Sequence, residues 1–408
     1  MNFVGNRSWR VAAVAVLAWV VVAADAMAQA PPQDPKSSAE VYGFVMLDFG
    51  HNFHQIHPNW FDTLRVVKLP KVEKEYGEDG SSFWGVRQTR LGVRTSTPTD
   101  LGDLTTQFEF ELFGVGVDEG QTTFRLRHAY GELGAIGAGQ YWSPFMDIDV
   151  FPNSVEYWGP TGMVFFRNVQ VRWMPIKGDT RLTLALERPG ASGDPGTLAD
   201  RVELQNVRGR FPTPDLSGEY RMGGSKGYIE LAGILRYMKW DDLLDDELDL
   251  SGSAVGWGLN LSSNFKPTSS DTLRLQFVYG EGIQNYMNDS PVDVGVVRNP
   301  GNTVTPVEGE PIPMTGIVAF LDHNWSSRLS TAIGYSGQFQ DNTEGQTPNA
   351  FRNGHYALGN VMYSPVPNTM AGVELQWGRR ENFSDGFSSD AFKIQFSFKY
   401  NFSARIGG

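Results

Sequence analysis

From Glu40 onward, apolar or aromatic residues alternate with polar, small or charged ones in stretches of about ten, each closed by Gly, Pro, Asn, Asp or Ser. A period of two puts neighbouring side chains on opposite faces of an extended strand, so the pattern predicts β-strands along the whole chain. Sixteen stretches qualify: 40–50, 84–97, 104–114, 122–134, 136–142, 163–174, 179–188, 215–222, 226–238, 252–264, 271–282, 314–324, 328–339, 354–363, 369–380 and 390–402. In the last of them Phe392, Ile394, Phe396, Phe398, Tyr400 and Phe402 share one face, while Lys393, Gln395, Ser397, Lys399 and Asn401 share the other. Long charged side chains recur on the polar face in strand after strand. A dry core could not accept them unpaired, whereas water inside a closed barrel could, and roughly sixteen strands is enough to leave an aqueous lumen.

The connections alternate in length. Long linkers follow the odd-numbered strands, at 51–83, 143–162, 189–214, 283–313 and 340–353, and short ones follow the even-numbered strands, at 98–103, 175–178, 223–225, 265–270 and 364–368. Long loops on one rim, tight turns on the other and an even strand count are the organisation of a transmembrane antiparallel β-barrel of the bacterial outer membrane. The expected fold is therefore all-β, with sixteen strands, long extracellular loops, short periplasmic turns and a water-filled lumen. A soluble sandwich or propeller also contains many short strands, but it has no reason to alternate its loops.

The ends of the chain agree with this reading. Arg7 and Arg10, an apolar run from Val11 to Ala24 and the small-x-small site Ala26-Met27-Ala28 read as a secretory signal over 1–28. A membrane anchor would need roughly 20 apolar residues. The expected division is signal peptide 1–28, a short periplasmic segment 29–39 and a barrel domain 40–408. Removing the signal leaves 32 basic and 45 acidic residues, too acidic a balance for a nucleic-acid binder. No second long apolar run exists for a helical membrane protein, and the absence of cysteine excludes disulfides and thiolate metal sites.

Parity assigns the pore lining. Leu91 and Val93 facing lipid turn Arg90 and Arg94 inward; Phe124 and Leu126 outward turn Arg125 and Arg127 inward. Val169, Val171 and Trp173 do the same for Arg172, as do Leu182, Leu184 and Leu186 for Arg181. Arginine stays charged and offers a planar fork that matches a carboxylate. Asp48, Glu109, Glu111 and Glu219 fall on the same wall. Two readings stay open: a cationic ladder that draws anions through a pore, or a cross-lumen network that neutralises the acids and stiffens the barrel. The third long loop, SPFMDIDVFPNSVEYWGPTG, is rich in aromatic and acidic residues. In general porins this loop folds inward, so Asp147, Asp149 and Glu156 are expected to form a constriction facing the arginines.

Competing chemistry is weak. His51, His54 and His57 are three residues apart, but in a loop without a fixed scaffold that spacing is not specific for metal. Gly114-Val115-Gly116 and Gly137-Ala138-Gly139 sit at strand ends and open no helix, so they are not phosphate loops. His128, His323 and His355 lie in strands with no serine beside them in a nucleophile setting. A barrel enzyme and a purely structural or adhesive barrel are the alternatives to a channel; no cofactor and no metal are expected.

The stretches VYGFVMLDFG, FWGVRQTRLGVRTSTPTDLG, FEFELFG, TTFRLRHAYGEL, GQYWSPFMD and PDLSGEYR resemble the DcaP-like family of outer-membrane porins. The likeness is densest between Val41 and Arg221 and covers about half the chain. It implies a sixteen-stranded homotrimeric porin embedded in outer-membrane lipid that takes up small anionic solutes such as dicarboxylates. By motif position it implies that Arg87, Arg90, Arg94, Arg125 and Arg127 line the pore, although parity turns Arg87 outward unless a bulge intervenes. Many family members carry a helical N-terminal extension, which the ten or so residues from Gln29 to Ala39 do not supply, and the chain runs on past Phe402 with SARIGG.

Overall fold

The computed structural model describes residues 37–407. The expected signal peptide 1–28 lies outside them, as does most of the segment 29–39. The sixteen barrel strands are β1 Ser38–Asn52, β2 in two halves Ser81–Gly85 and Arg90–Thr99, β3 Gly102–Phe113, β4 Thr122–Leu133, β5 Ile136–Trp142, β6 Arg167–Ile176, β7 Arg181–Glu187 and β8 Asp215–Gly224. They continue as β9 Gly227–Asp242, β10 Gly252–Phe265, β11 Asp271–Glu281, β12 Pro313–Asn324, β13 Leu329–Gln340, β14 Phe351–Tyr363, β15 Thr369–Asn382 and β16 Ser388–Gly407. Each strand pairs antiparallel with its chain neighbour, and β16 closes the barrel on β1 from Ser38↔Gly407 to Asn52↔Lys393. Residues 403–407 thus belong to the last strand rather than forming a tail beyond it. Most backbone groups along the wall are paired sideways, which is what a strand needs in hydrocarbon.

The outer face is apolar and exposed. Leu91, Val93, Phe108, Phe124, Val169, Val171, Leu184, Leu186, Phe392 and Phe398 all project from it. Exposed rings and aliphatic chains of this extent would aggregate a soluble protein; against lipid they are matched. One rim is closed by the turns 100–101, 134–135, 177–180, 225–226, 266–270, 325–328 and 364–368, and the other carries the long connections 53–80, 143–166, 188–214 and 282–312.

Two irregularities place charged residues. Between the halves of β2, residues 86–89 face only residues 45–47 of β1, so one extra residue enters the wall. That bulge turns Arg87 inward, as the motif comparison requires and simple parity does not. In β4 the register slips between Glu109↔His128 and Phe110↔Leu126, which leaves Arg127 and His128 both on the inner side.

The lumen is not polar all round. The 143–166 loop folds into it, and Phe145, Met146, Val150, Met163 and Val164 pack against Ile234 of β9, Val278 of β11, Val318 and Phe320 of β12 and Leu358 of β14. Under the loop the inner faces of β9 to β14 therefore mix apolar residues with polar ones that bond to it, such as Asn260, Ser262 and Gln276, a departure from the alternation expected of an open water channel. Burying the apolar side chains contributes roughly 1.5–3 kcal/mol each. On the other side, across β1 to β6, charged and polar side chains dominate, interrupted by Phe44 and Met46 of β1 and Trp142 of β5.

Candidate functional site

Three cavities follow one another through the lumen. The outermost, about 780 Å³, opens among the loops at His57, Lys71 and Thr347. The middle one, about 740 Å³, lies beside the folded loop, and the innermost, about 530 Å³, reaches the turns at Arg328 and Pro367. Arg65, Arg125 and Trp158 line both the first and the second. Ser154, Met370 and Lys399 line both the second and the third. Adjacent cavities thus share lining residues from the loop rim to the turn rim; the middle one borders β1 to β6, and the innermost is walled by β14 to β16.

Its middle is strongly basic. Arg65, Arg90, Arg125, Arg127, Arg167, Arg188 and Lys399 line the cavity, against one carboxylate among the described residues, Glu156. The heart of this surface is a cluster in which four guanidinium groups share two acids. Arg127 donates to Glu109 and to Glu111 at 2.6 Å each. Arg90 lies 3.7 and 3.6 Å from the same pair, Arg125 3.5 Å and Arg167 3.8 Å from Glu111. Glu109 also accepts from the Tyr42 hydroxyl at 2.8 Å, and Glu111 accepts from the Tyr157 hydroxyl. Tyr42 reaches Glu109 because Gly92 has no side chain; a Cβ there would sit 2.3 Å from the Tyr42 ring. The two acids are buried, while Arg90 and Arg125 keep about a quarter of their side-chain surface in the passage, 25% and 27%. The carboxylates hold the guanidinium groups in place without cancelling them.

The other expected arginines are placed differently. Arg94 stacks 4.1 Å from Tyr42 and lines a separate cavity of about 330 Å³ near the short-turn rim, with Glu40 and Glu132. Arg172 is buried over the rings of Tyr130 and Tyr141, donating to Gln170 and to the Trp142 carbonyl. Arg181, on the neighbouring strand β7, bridges Glu219 and Glu230 at 3.0 Å. Arg87 is buried against Asp62 and the Phe113 ring, tethering the 53–80 loop instead of facing the passage. The acids expected on one wall are divided as well: Asp48 accepts from Gln88, Gln395 and Ser397, far from the Glu219 pair.

Of the folded loop's carboxylates, Asp147 and Asp149 turn away from the arginines of β2 and β4, and Glu156, which lines the middle cavity with them, is paired elsewhere. Asp147, fully buried, accepts from Arg221 at 2.7 Å, Tyr228 at 2.7 Å and Ser262 at 2.6 Å. Asp149 also takes Arg221, at 2.7 Å. Glu156 takes the Lys393 ammonium at 2.7 Å and the Leu64 amide at 3.1 Å. Wall carboxylates reach back: Glu374 accepts from the Val155 amide and the Ser154 hydroxyl, and Asp322 from the Asn153 amide. Charge-assisted hydrogen bonds of this kind are worth about 1.5–3 kcal/mol each, so the loop is bolted across the barrel, and its acids serve as bolts.

The histidines diverge. His51 meets Ser82 and Phe53, His54 meets Phe392, and His57 caps a turn beside Tyr76, where burial holds it below the usual imidazole range. Sequence reasoning missed Arg65, Arg167 and Arg188. Arg65 is held between the Trp60 and Trp158 rings, 4.3 and 4.2 Å away, a position set by two loops that no strand pattern describes.

A closed sixteen-strand barrel with an apolar belt, long loops on one rim and a wet passage beside an inward-folded loop defines an outer-membrane channel of the porin class. A model of the DcaP outer membrane protein family matches residues 77–402, and the chain belongs to that family. It is similar in fold to the outer membrane channel DcaP of Acinetobacter baumannii, with 21% identity, 90% of this chain and 97% of that one covered, and a TM-score of 0.75. It is also similar to an anion-selective porin from Comamonas acidovorans, at 10% identity, 90% and 100% coverage and a TM-score of 0.57. A trimer form of OmpT from Vibrio cholerae gives 11% identity, 90% and 99% coverage and a TM-score of 0.55. No curated protein matches the sequence. Family and fold make this an outer-membrane channel and not an enzyme.

Proposed function

We propose that the channel is a passive, anion-selective pore for small hydrophilic solutes of the dicarboxylate type, with Arg90, Arg125 and Arg127 lining its narrow section. The observation that carries this reading is the lining of the middle cavity, where basic side chains outnumber the lone, paired Glu156. A passage walled by fixed positive charge raises the local concentration of anions and repels cations. Arg94, in the separate cavity near the short-turn rim, is balanced there by Glu40 and Glu132, and Arg172 and Arg181 act as wall struts. Asp147, Asp149 and Glu156 hold the constriction loop in place. The anion-selective and trimeric porins that share the fold support an anionic solute and a homotrimer in outer-membrane lipid. Export is assigned to residues 1–28, cleaved after Ala28.

The test is the zero-current potential of single channels in planar bilayers under a potassium chloride gradient. The parent should favour chloride, and Arg90→Ala with Arg125→Ala should move the potential towards zero. A parent that favours potassium overturns the reading.

A further inference from the structure

A passage for small hydrophilic anions has no use for wet aromatic rings, yet the middle cavity has a row of them. Trp142, Phe165 and Phe151 all line it half-exposed, with Ile148 beside them. Trp142 meets Phe165 edge-on at 5.1 Å between centroids, and Phe165 meets Phe151 at 5.9 Å, so the three form one shelf. Their backs pack on the apolar cluster beneath the folded loop, which fixes them in place. Apolar surface left in water inside a lumen, where no lipid can cover it, is unfavourable unless something apolar covers it.

The shelf also runs into the positive cluster. The Arg167 and Arg127 guanidinium groups lie 5.1 and 5.5 Å from the Trp142 ring. Arg125 and Arg90, the most water-exposed members of that cluster, line the same cavity. An apolar surface of inclined rings ending in a fork of donors is complementary to one kind of molecule: an aromatic ring, seated edge or face against them, bearing a single anionic group.

We propose that the middle cavity holds a subsite for aryl anions, with the ring against Trp142, Phe165 and Phe151 and the carboxylate or sulfonate towards Arg125 and Arg90. This rests on the anion-channel reading and sharpens its substrate class. Ring stacking and cation–π contact together favour an aryl over an aliphatic carboxylate by about tenfold.

The test adds potassium benzoate or potassium succinate to single channels carrying chloride current and compares the concentrations that halve it. Benzoate, although it carries one charge fewer, should act at about a tenfold lower concentration. In a Phe151→Leu, Phe165→Leu variant the ratio should fall close to one. Equal or weaker action of benzoate in the parent overturns the subsite, and it does so without reference to the variant if the variant fails to insert. A ratio unchanged in the variant overturns its placement on the shelf. The parent's zero-current potential, taken in the same bilayers, separates these results from failure of the underlying reading: chloride preference with no aryl advantage sinks the subsite alone, and potassium preference sinks both.

Discussion

Two sides of the lumen use the same residue types in opposite proportions. On the β2 to β6 side, Arg90, Arg125, Arg127 and Arg167 converge on Glu109 and Glu111, and the passage runs past them. On the β7 to β9 side, Arg181 and Arg221 are met by Glu219, Glu230, Asp147 and Asp149, and the folded loop covers the junction. The first cluster has more cation than acid and borders the passage; the second has more acid than cation and holds the folded loop. An inward arginine is therefore not by itself a pore residue. What decides its role is whether carboxylates of wall and loop together saturate it.

That contrast can be broken from its strong end. Arg221→Ala leaves Asp147 and Glu230 buried without their main cation, and removing one partner of a buried pair costs about 3–5 kcal/mol. The unfolding temperature of the detergent-solubilised barrel should drop sharply and its unitary conductance rise as the loop comes free; an unchanged unfolding temperature would mean that the acid-rich cluster anchors nothing. Next in size is Glu156→Gln, which keeps an acceptor for the Leu64 amide but takes the charge opposite Lys393. A loss of about 1.5–3 kcal/mol is expected, with noisier open-channel current as the readout of a looser loop.

On the wet side the order of effects inverts. Arg125→Ala should change stability by no more than about 1 kcal/mol, since the side chain is partly solvated and its contact with Glu111 is loose. It should nevertheless shift ion selectivity clearly. The smallest effect is expected outside the lumen altogether: Lys74 and Glu78 form an exposed i,i+4 pair in the 53–80 loop, and Glu78→Gln should alter neither selectivity nor stability beyond about 0.5 kcal/mol. A selectivity change there as large as that of Arg125→Ala would spread the field over the whole mouth and dissolve the contrast.

The barrel was legible because its signal is local. Alternation in Phe392 to Phe402 and the turn residues that close each strand depend only on near neighbours, so strand number, facing and loop alternation follow from reading along the chain. Inward facing was legible for Arg90, Arg125, Arg127, Arg172 and Arg181 for the same reason. Their partners were not. Glu374 holds Val155 from 219 positions away and Lys393 holds Glu156 from 237, distances over which periodicity carries no information. The β2 bulge that buries Arg87 is a single extra residue, visible only when β1 lies beside it. The aromatic shelf was hidden in a third way: Phe165 read as part of a strand starting at 163, whereas β6 begins at Arg167 and Phe165 belongs to the returning loop.

The most direct measurement compares the zero-current potentials of the parent, Arg125→Ala and Arg181→Ala under one potassium chloride gradient. An excess of cation on one side only requires Arg125→Ala to lose part of the chloride preference and Arg181→Ala, a member of the saturated cluster, to keep it. Equal losses from the two, or a loss from Arg181→Ala alone, would contradict the division of the lumen into a conducting side and an anchoring side.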